Sequence, residues 1–220
     1  MVYRHCYKEG VEVGLPVGKL VCVGRNYADH AAELNNPIPT EPMLFIKPAS
    51  SVVPLEEPFS VPQNLGSVHF ETEMAILIGK RLQHVDQVEA QAGIAGVGLA
   101  LDLTLRDLQD RLKKKGHPWE KSKAFDGACP LSVFVRPDEV SDLQNQQICL
   151  SVNGVLRQNG NSAQMLNPVL SLISYISTFF TLEPGDVVLT GTPAGVGPVE
   201  AGDQLQVELV DLLTIKTAAK

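Results

Sequence analysis

Glu71 and Glu73 are separated by a single residue in "SVHFETEMAILIG", residues 67–79, at the head of an apolar run. On a β-strand they point to the same face, because side chains alternate with period two. Two like charges so placed repel, and a divalent cation between carboxylates converts that repulsion into coordination. Asp102, at the end of the apolar stretch "AGIAGVGLALD", can supply a third oxygen. Ligation by oxygen alone suits Mg²⁺ or Mn²⁺ better than zinc, which takes nitrogen and sulfur. The alternative is an edge strand whose acidic face is solvated.

Two further groupings carry chemistry. In "DHAAEL", His30 and Glu33 stand three apart on an expected helix and share one face. A carboxylate that fixes a histidine tautomer and stabilises its cation makes a better general base. The same spacing also describes a solvent-exposed pair at a helix end. In "HPWEKSKAFD", Lys121 and Lys123 alternate beside Trp119, the single tryptophan of the chain. A lysine near a metal-bound enolate stabilises negative charge, whereas two surface lysines in a loop do nothing of the kind.

The elements that must position these groups are mostly short strands. "KLVCVG" (19–24) reads as a buried strand and "NYADHAAELN" (26–35) as a short helix. "MLFIKP" is a second strand, followed by "FETEMAILIG" as a third and a strand ending near Asp102. "LRDLQDRLKKKG" has helical periodicity, with Gly116 as its stop. Asn153-Gly154 marks a β-hairpin. The uncharged stretch Gln158 to Leu182 reads as an amphipathic helix packed on a core, with Val169, Ile173, Ile176 and Phe180 on one face. "EPGDVVLTGTPAGVG" and "EAGDQLQVELV" repeat a turn followed by a strand. The β-α-β alternation of a dinucleotide fold is absent, so the glycines of "GVGLAL" and "GVGPVEAG" are expected at turns and close contacts. The expected class is α+β, dominated by strands.

Composition narrows the function. A chain of 220 residues that is 44% hydrophobic suits one globular domain. Eighteen basic residues against 25 acidic give a net charge of -7, and only 5% of residues are aromatic, which argues against a nucleic-acid partner. "MVYRHCYKEGVEVG" lacks the apolar core of a signal peptide. Cys6, Cys22, Cys129 and Cys149 are widely spaced, with no C-x-x-C. A cytoplasmic location and no membrane span are expected.

Taken in order, "GRNYADHAAEL", "LFIKP", "HFETEMAILIG", "LALDLTLRDLQ", "WEKSKAFDGACPLS" and "GDVVLTGTPAGVG" resemble the fumarylacetoacetate hydrolase family. The likeness is to its short single-domain branch, the acylpyruvase and oxaloacetate-acting enzymes, and runs from about Lys19 to the C-terminus. It implies one catalytic domain over 1–220, with 1–18 as an extension or strand, in the family's mixed β-sandwich roll. It also implies a homodimer. Glu71, Glu73 and Asp102 match the family's ligands for Mg²⁺ or Mn²⁺, His30 and Glu33 its catalytic dyad, and Lys123 the lysine beside the metal. Arg25, Gln109 and Thr192 resemble the groups that hold substrate, with Lys47 and Arg106 as further candidates.

The implied substrate is a small 2-oxo acid, chelated through its carboxylate and 2-oxo group. The first expectation is hydrolysis of an acylpyruvate to pyruvate and a carboxylate, with His30 activating water. Oxaloacetate tautomerisation or decarboxylation shares the same enolate and is the alternative. A non-catalytic metal- or ligand-binding protein on the same scaffold is a reading of a different class.

Overall fold

Short runs of β-branched and aliphatic residues, bounded by glycine, proline and asparagine, make most of the regular structure, because such runs pack well as pleated strands. The computed structural model describes residues 3–220. The chain runs through β1 (Leu20–Gly24), α1 (Ala28–Glu33), β2 (Met43–Lys47), β3 (Val52–Pro54), β4 (Val68–Phe70) and β5 (Thr72–Ile78). Next come α2 (Gln87–Ala92), β6 (Ile94–Leu101), β7 (Thr104–Leu105), α3 (Arg106–Lys114), α4 (Glu120–Lys123) and β8 (Cys129–Leu131). The last third holds β9 (Gln147–Val152), β10 (Val155–Asn161), α5 (Val169–Phe179), β11 (Val187–Leu189), β12 (Gly197–Pro198), β13 (Gln204–Leu209) and β14 (Leu213–Ala218). The class is α+β and strands dominate it.

Seven strands form one mixed sheet in the order β2-β1-β11-β5-β6-β8-β3, in which β1–β11 and β3–β8 are the parallel pairs. A second, antiparallel sheet has the order β10-β9-β13-β14, and a third, small one the order β12-β4-β7. β5 lies in the middle of the large sheet and is buried on both faces. Met74, Ile76 and Ile78 join a core shared with Leu150 and Val207 of the second sheet and Ile173 of α5. Ala75 and Leu77, pointing the other way, join a second cluster with Cys22, Leu131 and Phe134. The alternation is the strand period made visible. A solvated acidic edge is therefore ruled out for Glu73, which sits on a central strand.

Two elements differ from the sequence reading. The strand expected through residues 70–79 splits at Glu71: β4 pairs with β7 and β12, whereas β5 enters the large sheet. Glu71 thus stands where the chain changes sheets. The helix expected over 158–182 is shorter. Asn153 and Gly154 both have positive φ (52° and 76°), the backbone of a two-residue hairpin turn. That turn feeds β10, which keeps residues to Asn161 in a strand. α5 starts only after Pro168, and it buries Val169, Leu172, Ile173 and Ile176 as its apolar face. Among the described residues, no helix is long and apolar enough to cross a membrane.

Candidate active site

The register of β5 and β6 decides where the acids meet. Thr72 lies opposite Leu101, so the next residue on each side, Glu71 and Asp102, leaves the ladder at the same end. The Asp102 N–H donates to the Glu71 carbonyl at 2.8 Å and closes that end. Glu73 follows two residues into β5. All three side chains are buried, and one oxygen from each lies within 4.8 Å of the others.

Three buried carboxylates need compensation. The Lys123 ammonium donates to Glu71 Oε2 at 2.8 Å and to Asp102 Oδ2 at 2.6 Å. Arg106 bonds Glu71 Oε1, to which the Thr104 hydroxyl also donates at 3.2 Å. The Gly191 N–H donates to Glu73 Oε2 at 2.7 Å. Lys47 Nζ lies 2.7 Å from Asp102 Oδ1, a fully buried ion pair. Burial acts to raise the Glu71 carboxyl, yet Lys123, Arg106 and His30 outweigh it and hold the group well below the usual range. Glu73 goes the other way. Burial and then Asp102 push it far up, against Lys123.

The cluster fits a divalent cation: its donors are three hard carboxylate oxygens within 4.8 Å of one another, and among the described residues Glu73 lacks a cation of its own. Glu71, Glu73 and Asp102 would hold the ion.

α1 brings His30 to the same cavity. Its Nδ1 is 3.5 Å from Glu33 Oε2, one helical turn away. With the proton on Nδ1, Nε2 is the free acceptor. Glu33 is itself anchored, since the Gly195 N–H donates to both of its oxygens at 3.1 and 3.2 Å. Gly195 has φ +98°, and a Cβ there would fall 2.0 Å from the Arg157 carbonyl oxygen, so only glycine fits. Burial lowers the His30 pKa from its ordinary value, against the pull of Glu71 and Glu33. The imidazole is therefore neutral at neutral pH.

His30, Glu71, Glu73, Asp102 and Lys123 line one cavity, together with Arg25, Arg106, Gln109 and Thr192. Glu33 stands behind His30 and does not line it. Lys123 is brought inward by the single turn of α4, which buries it and leaves Lys121 exposed. Thr192 is held by Gln158, whose amide donates to the threonine hydroxyl at 2.7 Å and accepts from Thr72 N–H at 3.0 Å.

Lys47, read from sequence as a substrate contact, does not reach the cavity. It is wholly buried, and its ammonium is taken up by the carbonyls of Leu103 (3.4 Å), Ala128 (3.1 Å) and Lys123. β2 delivers it beneath the acids, where it ties together the chain segments that carry Asp102 and Lys123.

Several lining residues escaped the sequence reading. Phe45 and Trp119 pack with ring centroids 6.1 Å apart, and the Phe45 ring lies 5.2 Å from Lys123 Nζ. Lys113 also lines the cavity. Its signal was available, for Arg106, Gln109 and Lys113 recur at three- and four-residue spacing along one face of α3.

The family described as "Fumarylacetoacetate (FAA) hydrolase C-terminal" matches residues 19–218. An oxaloacetate tautomerase of Escherichia coli (strain K12) is 51% identical over 207 residues, covering 94% of each chain. A mitochondrial oxaloacetate tautomerase of Bos taurus is 45% identical over 197 residues, 90% of this chain and 89% of its own. The crystal structure of a fumarylpyruvate hydrolase from Pseudomonas aeruginosa, in complex with Mn²⁺ and pyruvate, superposes with a TM-score of 0.92. It is 36% identical, over 99% of this chain and 95% of that one.

Proposed function

The chain belongs to the fumarylacetoacetate hydrolase family, and from that membership we propose that it is an oxaloacetate tautomerase working with Mg²⁺ or Mn²⁺. Acylpyruvate hydrolysis, the first expectation from sequence, has the weaker support. The fumarylpyruvate hydrolase is 36% identical, against 51% and 45% for the two tautomerases. The observation that carries the choice is the match to an oxaloacetate tautomerase across 94% of both chains, with His30 and the acid cluster on one cavity.

A divalent cation on Glu71, Glu73 and Asp102 would supply a Lewis acid for the negative charge that enolisation places on the 2-oxo oxygen. The remaining chemistry belongs to side chains. His30 Nε2 takes a proton from C3 of the keto acid, and the C–H electron pair becomes the C2–C3 double bond. Protonation of the oxygen completes the enol, and the reverse sequence returns the keto form. Glu33, pinned by Gly195, holds the imidazole in the working tautomer and stabilises its cation. Lys123 adds a fixed positive charge beside the acids. Gln109 and Thr192 offer an amide and a hydroxyl for the oxygens of the 2-oxo carboxylate. Phe45, Trp119 and Leu34 make part of the wall apolar, so charge interactions there are stronger than in water.

The test follows enol-oxaloacetate and acetylpyruvate in parallel with purified protein and Mg²⁺. Rapid collapse of the enol with acetylpyruvate left intact agrees with the proposal. Fast release of acetate and pyruvate would replace it with the hydrolase reading.

A further inference from the structure

Four cations line the cavity, and they fall into two pairs. Lys123 and Arg106 are engaged by Glu71, and Lys123 also by Asp102. Arg25 and Lys113 have no carboxylate within 4.0 Å among the described residues. Their polar contacts are neutral: Arg25 Nη1 donates to the Pro37 carbonyl at 3.5 Å, and Lys113 Nζ to Asn36 Oδ1 at 3.3 Å. Both are half-buried. An ammonium has three donors and a guanidinium five, so both keep hydrogens free for a ligand.

The two groups reach the cavity from different elements. Arg25 follows β1 directly and has φ +60°, an uncommon backbone for a side chain of its size. Lys113 sits one turn beyond Gln109 on α3. Their charges oppose each other: burial and then Arg25 act to lower the Lys113 pKa, against the weaker pull of Asp110 and Glu71. Two half-buried cations with no carboxylate in contact repel, and an anion lodged between them would remove that repulsion.

We propose that Arg25 and Lys113 are the receptor for the second carboxylate of a four-carbon 2-oxo dicarboxylate. The inference rests on the tautomerase reading and names what selects its substrate. The acid cluster takes the 2-oxo carboxylate end, which every 2-oxo acid shares. Arg25 and Lys113 distinguish oxaloacetate, with its distal carboxylate, from an acylpyruvate that would present an alkyl group to two unneutralised cations. Such a mismatch leaves charged groups desolvated without a partner, and sites reject ligands strongly on that basis.

The experiment compares the parent with Lys113→Met, Lys113→Arg and Arg25→Met. Two readouts are taken with Mg²⁺ present: the KM and kcat for oxaloacetate tautomerisation, and the Ki of pyruvate, which has the same 2-oxo carboxylate and no second acid. Lys113→Met is expected to raise the oxaloacetate KM about tenfold or more, the loss of one charge-assisted hydrogen bond. Arg25→Met should act in the same direction, and Lys113→Arg should recover most of the loss. The pyruvate Ki should stay within about twofold, since no contact to the shared end is removed. Equal rises in KM and Ki, or no change in either, would overturn the assignment.

A thermal-shift titration with the same two acids needs no turnover. A parent stabilised by oxaloacetate through Lys113, yet unable to tautomerise it, would sink the activity and leave the receptor standing. A parent that tautomerises oxaloacetate with Lys113→Met unaltered would do the opposite.

Discussion

The Asp102 N–H donates to the Glu71 carbonyl at 2.8 Å, joining the end of β6 to the point where the chain passes from β4 to β5. This single bond fixes two acids from distant parts of the sequence at one end of a sheet ladder. Glu73 is carried to the same place by β5. Repulsion among them is offset by Lys123, Arg106 and Lys47, and Glu73, without a cation of its own among the described residues, is the acid a divalent cation would engage.

Glu73→Gln removes a charged ligand while keeping shape. Calorimetry with Mg²⁺ or Mn²⁺ is expected to show affinity weakened by at least about tenfold, since even the outer partners of a metal site cost that much. An affinity equal to the parent's would take Glu73 out of the ligand set.

His30→Ala should spare metal affinity, because His30 is not one of the three clustered acids. Turnover of oxaloacetate should fall by about 10²–10⁴-fold, the usual contribution of a positioned general base. Glu33→Gln should fall less, as the imidazole remains. Parent-like kinetics for His30→Ala would make the dyad a bystander.

The pH profile follows from the burial of His30, which lowers its pKa from the ordinary value of 6.5. A lowered pKa means that the proton is lost earlier as pH rises, so the basic form persists below pH 6.5. The acid limb of kcat/KM should therefore lie below that value, and His30→Ala should abolish it. A limb centred above 6.5 would contradict the neutral-base assignment.

Lys47→Met tests the buried lysine beneath the acids. It strips donors from the Leu103, Lys123 and Ala128 carbonyls and a charge partner from Asp102. Denaturant unfolding should show a loss of about 3–5 kcal/mol, typical when one partner of a buried ion pair is removed. Metal affinity should also fall, through Asp102. A substrate-contact role would instead raise KM and leave stability alone.

Much of this arrangement could be read from the sequence. The acid triad, the i,i+3 dyad and the Asn-Gly hairpin depend on local periodicity or on strand ends, which a sequence displays. The fate of Lys47 could not be read, because its carbonyl partners lie 56 to 81 residues away. The break at Glu71 was hidden too. Alternation continues across it, and only pairing with two different sheets shows where one strand stops. The end of β10, residues 158–161, was read as the start of a helix because "QNGN" carries no strand pattern of its own. The hairpin turn and its partner β9 put it in the sheet.

The most direct test of the central claim, proton transfer at C3 by His30, is deuterium exchange. Keto-oxaloacetate in D₂O with Mg²⁺ is followed by proton NMR, with parent, His30→Ala and chelator-treated protein side by side. The account predicts rapid loss of the C3 proton signal with the parent, and exchange near the uncatalysed rate with the other two. Exchange by His30→Ala as fast as the parent's, or none with the parent, would contradict it.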